Sequence, residues 1–338
     1  MTAPGSLMRS EIAEAPAVFA RSVGAVSPAA RQTLQSLNIG ATRAFYTIAR
    51  GSSDAAANIL SYEVMRETGK PMTSLPPSIF SIGRGVDLAD TVSILVSQSG
   101  ASDDLVRSAT GARTSGGTVI GLINQPGSPV EAAAHLTLPI GAGPELAVPA
   151  TKSVIGSIAA GMALLSEITP AYAARAAASA QTIAALAGIT HPECSTLVSA
   201  LLRAQHVFVI GRDTGFGAAQ ELALKLKETC ALHAEAYSSS EVLHGPLQLA
   251  TKPLLTLILD TGQADLQSSL DTAEARFRGI GGTVHRLRPS DVGATDLTPA
   301  AAAALLLYLA YPLVLATALA LGHNPDRPAT LSKVTQTT

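Results

Sequence analysis

Two stretches of the sequence, FYTIARGSS at Phe45–Ser53 and VFVIGRDTG at Val207–Gly215, decide the fold. Each is a short apolar run followed by an arginine, a glycine and small hydroxylic or acidic residues. The arginine of the first stretch is Arg50, and that of the second is Arg212. A motif that returns at a fixed spacing indicates an internal repeat.

Two further landmarks repeat in the same order. ILVSQSG ends at Gly100 and LILDTG ends at Gly262, and the interval between these glycines equals the interval between the two arginines. The segment GGTV begins at Gly116 and again at Gly281, at nearly the same interval. Because the register holds over three successive elements, the chain is predicted to contain two copies of one unit.

The apolar runs alternate with windows that favour helices. These windows are Asp54–Thr68, Asp103–Ser115, Phe216–Cys230 and Asp265–Ile280, and an alanine-rich stretch, Val154–Leu202, joins the halves. Strands that alternate with helices of this length predict βαβ units and a parallel sheet in each half. Ligands of such sheets bind at the carboxyl ends of the strands.

Composition favours a small-molecule partner. The 338 residues carry a formal charge of −2, without the charged blocks that indicate nucleic-acid binding. The two cysteines, Cys194 and Cys230, lack metal-ligand spacing, and the amino-terminal residues do not form a signal peptide. A cytoplasmic protein without a metal or other cofactor is therefore expected.

One uncharged stretch, Ala300–Leu321, is long enough to cross a membrane. It is rich in weakly hydrophobic alanine, contains Pro312 and has no flanking basic cluster or aromatic belt. A buried helix or helix pair is expected, and no membrane contact.

Hydroxyl-rich loops follow the first two strands of the first half. The candidate phosphate-binding residues are Gly51, Ser52, Ser53, Ser97, Gln98, Ser99 and Ser102. Hydroxyls, glycine and a helix amino terminus suit a phosphate dianion, although serines at such positions also cap helices. The equivalent loops of the second half contain Asp213 and Asp260, which would repel phosphate.

A charged series, Glu221, Lys225 and Glu228, falls on one face of a predicted helix. A solvated ion-pair stripe is the simple alternative. The helix continues into the segment CALH at Cys230–His233, which predicts that the Glu228 carboxylate faces a partly apolar pocket, an environment that suits a general base.

Taken together, these motifs resemble the tandem sugar isomerase (SIS) domain family, in particular the isomerase half of glucosamine-fructose-6-phosphate aminotransferase and the SIS-type glucosamine-6-phosphate deaminases. The resemblance covers nearly the whole chain. It rests on Glu11-Ile12, Gly51–Ser53, Ser97–Gly100, Ala142–Glu145, Thr151-Lys152, Glu221–Glu228, His233–Tyr237, Glu241–Pro246 and Leu331–Thr335.

The resemblance implies a fold of two SIS domains, each a parallel-sheet αβα sandwich of flavodoxin-like type. It places an amino-terminal helical segment at 1–38, the phosphosugar-binding domain at 39–168, a helical linker at 169–196, the second domain at 197–322 and a tail at 323–338.

The resemblance also implies roles for individual residues. Glu228, with Lys225, moves a proton between C1 and C2 of the open-chain sugar, and His244 opens the ring in the site of a partner subunit. Lys333, otherwise a solvated tail lysine, forms an imine with the keto sugar, so the tail must lie over the site. Val148 contacts the sugar, and Pro149-Ala150 departs from the family pattern beside it.

His233 is expected to be a packing histidine. The aminotransferase also carries a glutaminase domain with a cysteine after the initiator. This sequence has Thr2 at that position, so no glutamine hydrolysis is expected.

A homodimer that deaminates glucosamine 6-phosphate to fructose 6-phosphate is therefore expected. A fructosamine-phosphate deglycase or a galactosamine-6-phosphate deaminase is the alternative enzyme, and a phosphosugar-sensing module is the alternative without catalysis. In each case the ligand is a phosphorylated amino sugar or hexose 6-phosphate.

Overall fold

A computed structural model describes residues 3–333, and two parallel sheets organise this part of the chain. The strands of the first sheet are β1 (Ala44–Ile48), β2 (Met72–Ser74), β3 (Thr91–Ser97), β4 (Thr118–Ile123) and β5 (Leu136–Pro139). Those of the second are β6 (His206–Gly211), β7 (His233–Ser238), β8 (Leu255–Leu259) and β9 (Thr283–Leu287). The orders are β2-β1-β3-β4-β5 and β7-β6-β8-β9. The first is the flavodoxin-like order, so the predicted fold class is confirmed.

Helices cover both sheets. They are α1 (Ser6–Val23), α2 (Pro28–Ser36), α3 (Ser52–Thr68), α4 (Ser78–Ser81), α5 (Asp103–Thr114), α6 (Pro129–Ala133), α7 (Lys152–Ile168), α8 (Pro170–Ala185), α9 (Cys194–Arg203), α10 (Thr214–Cys230), α11 (Gln267–Gly279) and α12 (Pro299–Ala320). Short 3₁₀ turns occur at Ile39–Ala41, Glu241–His244, Pro246–Thr251, Ala264–Leu266 and Pro289–Val292. The predicted helix at Asp265 therefore begins as a 3₁₀ turn and becomes α-helical at Gln267.

The backbone confirms the repeat at the turn before α3 and α10. Gly51 has φ 54° and ψ −128°, and Asp213, its equivalent in the second copy, has φ 55° and ψ −131°. Glycine adopts this conformation freely, whereas in an L-residue it costs on the order of 1–3 kcal/mol. The second copy has therefore kept the shape of the turn without keeping its glycine.

The long apolar stretch forms a single helix, α12, inside the protein. The side chain of Thr298 caps its amino end by accepting a hydrogen bond from the amide of Ala301 at 3.4 Å. By length and composition α12 could span a membrane, but 83% of its most apolar window is buried within the fold. A helix that is apolar on all sides is expected in a core, so the predicted buried helix is confirmed.

Glu63 ties three helices from different parts of the chain together. Its carboxylate accepts a hydrogen bond from the Tyr172 hydroxyl at 2.7 Å and one from the amide of Ala300 at 3.2 Å. Burial raises the pKa of Glu63 to about 7. The side chain thus joins α3 of the first half to α8 and to the start of α12.

The two halves meet where helix α3 of the first half crosses helix α10 of the second, with the two helix backbones in contact. A Cβ atom at Gly217 would lie 2.7 Å from the backbone nitrogen of Ile59 and 2.9 Å from the carbonyl oxygen of Ala55. The helices run antiparallel, because the end of α10 contacts the start of α3 through Lys225 and Ser52. The crossing therefore requires glycine at position 217.

We expect Gly217→Ala to lower the free energy of unfolding by about 1–3 kcal/mol, because the added methyl group forces the helix backbones apart. Alanine's higher helix propensity acts in the opposite direction, by about 1 kcal/mol. The measurement is urea denaturation followed by circular dichroism. Gly279→Ala, in α11 with open space around its Cβ position, is the matched control. A Gly217→Ala protein as stable as the wild type would contradict the proposed contact.

Candidate active site

The two hydroxyl-rich loops lie side by side at the carboxyl ends of β1 and β3, which are adjacent strands. They line a cavity of about 260 Å³. All the predicted substrate-binding residues line it: Gly51, Ser52, Ser53, Ser97, Gln98, Ser99, Ser102 and Val148. Glu228 from α10 and Lys333 from the tail complete the wall. Five separate segments of the chain therefore meet at the place that the strand order predicts.

A larger cavity of about 540 Å³ lies at the opposite, amino-terminal end of the second sheet. Its charged lining residues, Arg203 and Lys252, are both exposed. Because parallel sheets bind ligands at the carboxyl ends of their strands, the smaller cavity is the better candidate.

Hydrogen bonds within the loop after β3 stabilise its conformation. The Ser97 hydroxyl accepts a hydrogen bond from the amide of Gly100 at 2.9 Å, and the Ser99 hydroxyl accepts one from Ala101 at 3.3 Å. Gly100 has φ 61°, and a Cβ atom there would lie 2.2 Å from the Ser128 hydroxyl oxygen. Ser102 occupies the position before α5 but makes no side-chain capping bond. Helix capping therefore does not explain Ser102.

Behind the cavity lies a buried row of charged groups on α10. The Lys225 ammonium donates to the Ser52 hydroxyl at 2.9 Å, forms a short contact with the Glu228 carboxylate and lies 3.4 Å from a Glu221 oxygen. The side chains of Glu221 and Lys225 are fully buried, and that of Glu228 is 24% exposed. The alternative of a solvated ion-pair stripe is therefore wrong, and Glu228 is the member of the row that reaches the cavity.

Burial determines the charge of this row. It raises the pKa of Glu221 to about 7, against the opposing effect of Lys225. Burial alone would lower the pKa of Lys225, but Glu221 and Glu228 outweigh it and the net direction is upward. The Tyr311 hydroxyl donates a hydrogen bond to Glu221 at 3.2 Å. The row therefore holds a lysine cation between two carboxyl groups.

Arg50 is a cavity residue that sequence reasoning did not propose. Its guanidinium pairs with the fully buried carboxylate of Asp104 in the first turn of α5. The pair links the loop after β1 to the helix after β3 and places a cation beside the serine hydroxyls. The repeat of Arg50 as Arg212 was the available signal for it.

Three residues of the carboxyl-terminal tail line the cavity: Leu331, Ser332 and Lys333. Residues 334–338, which were also expected over the site, fall outside the described part of the chain. The Asp326 carboxylate accepts hydrogen bonds from the amides of Leu7 and Met8 at the start of α1. Its backbone carbonyl accepts one from Val148 at 2.9 Å. The Lys333 ammonium donates to the carbonyl of Ala147 at 2.6 Å.

The histidines lie away from this cavity. His244 ends an exposed 3₁₀ turn and is not among the lining residues. His233 was expected to be a packing histidine, but it is exposed, with its Nδ1 atom 3.0 Å from that of His206. That prediction was wrong because His233, like its register partner His206 in the interior strand β6, is the exposed first residue of its strand. Within residues 3–333, no three histidine, cysteine or carboxylate side chains are grouped to hold a metal ion.

In the second half, the aspartates of the equivalent loops are paired with arginines. Asp213 binds Arg66 of α3 at 2.8 Å, and its other oxygen accepts from the following amide, Thr214, at 2.7 Å. Asp260 is paired with Arg286 at 2.9 Å and with Arg288 at 3.1 Å. The acids that were expected to repel phosphate are thus neutralised within the fold.

Comparison with known proteins gives the family. A profile described as the SIS domain matches residues 41–167 and 200–281. The chain belongs to the SIS domain family. Glutamine–fructose-6-phosphate aminotransferase (isomerizing) from Aeropyrum pernix is 30% identical over an alignment of 362 positions, which covers 96% of this chain and 56% of the relative. The chain thus spans about half the length of the curated relatives it matches.

Two solved structures share the SIS fold over nearly the whole chain. The C-terminal domain of glucosamine-fructose-6-phosphate aminotransferase from Francisella tularensis gives a TM-score of 0.78 at 21% identity, over 94% of this chain and 96% of that one. Glucosamine-6-phosphate deaminase from Thermotoga maritima gives 0.75 at 21% identity, over 98% and 100%. The resemblance inferred from the sequence motifs is confirmed.

We expect Lys225→Met to lower the free energy of unfolding at pH 8 by about 3–5 kcal/mol, because two carboxylates then face each other without a cation. A group with a raised pKa in the folded state favours folding at low pH. The loss should therefore shrink at pH 5.5, where Glu221 takes up a proton. Urea denaturation at the two pH values measures it.

Lys227→Met, on the exposed side of the same helix, is the control and should change stability little. Adding Glu221→Gln to Lys225→Met should recover part of the loss at pH 8. Equal losses at both pH values would show that the Glu221 carboxyl does not respond to the lysine.

Proposed function

We propose that this protein is an enzyme that deaminates glucosamine 6-phosphate to fructose 6-phosphate and ammonia. The observation that supports it is the single cavity that combines hydroxyl-rich loops, the Glu228 carboxylate and the Lys333 amine. A phosphosugar sensor would use the loops alone. The further presence of a carboxylate and an amine in the same cavity favours catalysis.

The phosphate group is assigned to the loops after β1 and β3. Their hydroxyls and the amide groups at the starts of α3 and α5 point positive dipoles at one place, a common arrangement for binding phosphate. Arg50 adds a cation, held there by the buried Asp104 carboxylate. The sugar then extends from this end of the cavity toward Glu228, Val148 and the tail.

The Glu228 carboxylate is assigned the proton transfer. It takes the proton from C2 of the open-chain amino aldose, which gives an enolamine, and returns it to C1, which gives the C2 imine. Water then adds to C2 and ammonia leaves, so that fructose 6-phosphate remains. Lys225 holds the carboxylate on the cavity side, because its ammonium also binds the Ser52 hydroxyl.

Lys333 provides a second route for ammonia to leave. Its neutral amine would attack C2 of the imine, release ammonia and form a lysine imine that water hydrolyses. Ring opening before these steps is assigned to His244 of a second subunit. The exposed position of this side chain, outside the cavity of its own chain, supports a homodimer with a shared site.

We expect the purified protein to release equal amounts of ammonia and fructose 6-phosphate from glucosamine 6-phosphate, measured by coupled assays. Glu228→Gln should lower kcat by about 10²–10⁴-fold, because a general base is lost. The matched control is Glu193→Gln, an exposed carboxylate outside the cavity. Galactosamine 6-phosphate and fructosamine phosphates, assayed in parallel, decide between the related enzymes. If no substrate in this panel yields product at high enzyme concentration, the proposal fails.

Sharing of the site predicts complementation. Glu228→Gln and His244→Ala proteins should each be nearly inactive. After exchange between equal amounts of the two, about half of the dimers are hybrids, and each hybrid contains one intact site. Up to about a quarter of the wild-type activity per site should therefore return. Differently tagged subunits verify the exchange. Verified hybrids without activity would rule out a shared site.

A further inference from the structure

The amine of Lys333 is held by a partner to which the sequence motifs gave no role. Its Nζ atom lies 3.2 Å from Oε2 of Glu145 and donates to the Ala147 carbonyl at 2.6 Å. The Lys333 side chain is 25% exposed, whereas that of Glu145 is fully buried. A buried carboxylate thus meets a partly buried ammonium at the edge of the cavity.

The two oxygens of Glu145 have different partners. Oε1 accepts hydrogen bonds from the amides of Thr151 at 3.0 Å and Ser153 at 3.1 Å, at the start of α7. Oε2 accepts from the Ser153 hydroxyl at 2.7 Å and faces Lys333. One oxygen therefore fixes the carboxylate to a helix, and the other is directed at the tail.

The loop that presents this carboxylate is itself anchored. Glu11 of α1 accepts hydrogen bonds from the amides of Leu146 and, at 3.2 Å, Ala147. Val148, the next residue, lines the cavity. The loop thus binds Lys333 through the Ala147 carbonyl and contributes Val148 to the cavity wall. A movement of the lysine therefore changes the position of the wall beside the proposed sugar site.

We propose that Glu145 is the positioning residue of Lys333: it holds the lysine as an ammonium at the edge of the cavity and accepts its proton when the C2 imine of the sugar has formed. The inference rests on the proposed function, in which Lys333 forms an imine. The proton moves from Nζ to Glu145 Oε2. The freed lone pair attacks C2 of the sugar imine and forms the N–C bond. Glu145 then returns the proton to the sugar nitrogen, which leaves as ammonia, and a lysine imine remains.

Glu145 affects both the charge of the Lys333 amine and its position. Glu145 stabilises the charged form, because a carboxylate favours a neighbouring cation. The other charged groups around Nζ are Glu11 beside the loop and, in the cavity wall, Glu228 and Arg50. Removing the Glu145 charge should free the amine at lower pH and also leave it poorly placed for the sugar.

The test is the Glu145→Gln variant of the full chain. Its amide oxygen can replace Oε1 at the start of α7, while its amide nitrogen replaces the acceptor that faces Lys333. The probe is acetic anhydride, which reacts with neutral amines, and mass spectrometry quantifies acetylation of Lys333 against pH. We expect the half-maximal pH of acetylation to be lower in the variant than in the wild type.

Two variants serve as controls. Ser153→Ala removes the other partner of Oε2 without a change of charge, and Glu14→Gln removes the carboxylate that pairs with Lys152 at 2.7 Å. Neither should move the Lys333 profile. Simple loosening of the tail would raise the extent of labelling at every pH without moving its midpoint.

A midpoint in Glu145→Gln equal to that of the wild type overturns the proposal. If Glu145→Gln does not fold, Glu145→Asp replaces it: the shorter carboxylate withdraws from Nζ, so the midpoint should still fall, and an unchanged midpoint is again decisive against the assignment.

Borohydride trapping with fructose 6-phosphate tests the proposed function separately. The wild type should be trapped at Lys333, Lys333→Ala should not be, and Glu145→Gln should be trapped several-fold less. A wild type that is not trapped contradicts imine formation, whereas the labelling profile still reports whether Glu145 holds the lysine.

Discussion

The close antiparallel contact between α3 and α10 is the constraint on which the candidate site depends. Gly217 lets the two helix backbones touch, and this fixes which ends of the helices meet. The end of α10 then lies at the start of α3, so that Lys225 reaches Ser52 and Glu228 enters the cavity. Neither half could form this arrangement alone, because the hydroxyls belong to the first half and the charged groups of α10 to the second.

At the opposite end of this helix pair, where the end of α3 meets the start of α10, the signs of the charged residues are reversed. Glu63 and Arg66 of α3 occupy the positions that Lys225 and Glu228 occupy in α10, the equivalent helix of the second copy, so acid replaces base and base replaces acid. Arg66 pairs with Asp213 at 2.8 Å, whereas Glu228 faces a cavity. One end of the crossing is therefore a closed interdomain ion pair, and the other end is an open candidate site.

The sequence predicted those features that depend on local pattern and on repetition. Apolar runs followed by glycine and small polar residues identified β1, β3, β6 and β8 and the loops of the cavity. The burial of Lys225 and the contact of Glu145 with Lys333 could not be predicted in this way, because they depend on contacts between segments that lie far apart in the sequence. The exposure of His233 was missed for a related reason: it is the first residue of β7 and pairs with the exposed His206, a register that the local sequence does not show.

The shared backbone of Gly51 and Asp213 has an evolutionary consequence. A symmetric pair of single units, each with the glycine turn, would present two identical anion-binding loops across one twofold axis. Fusion of the genes makes the two copies free to diverge. In this chain the second loop has been filled by its own aspartate, whose side chain accepts from Thr214 where an anion would otherwise bind. The second loop is thus a structural clamp that pairs with Arg66 of the first half, whereas the first loop lines the cavity.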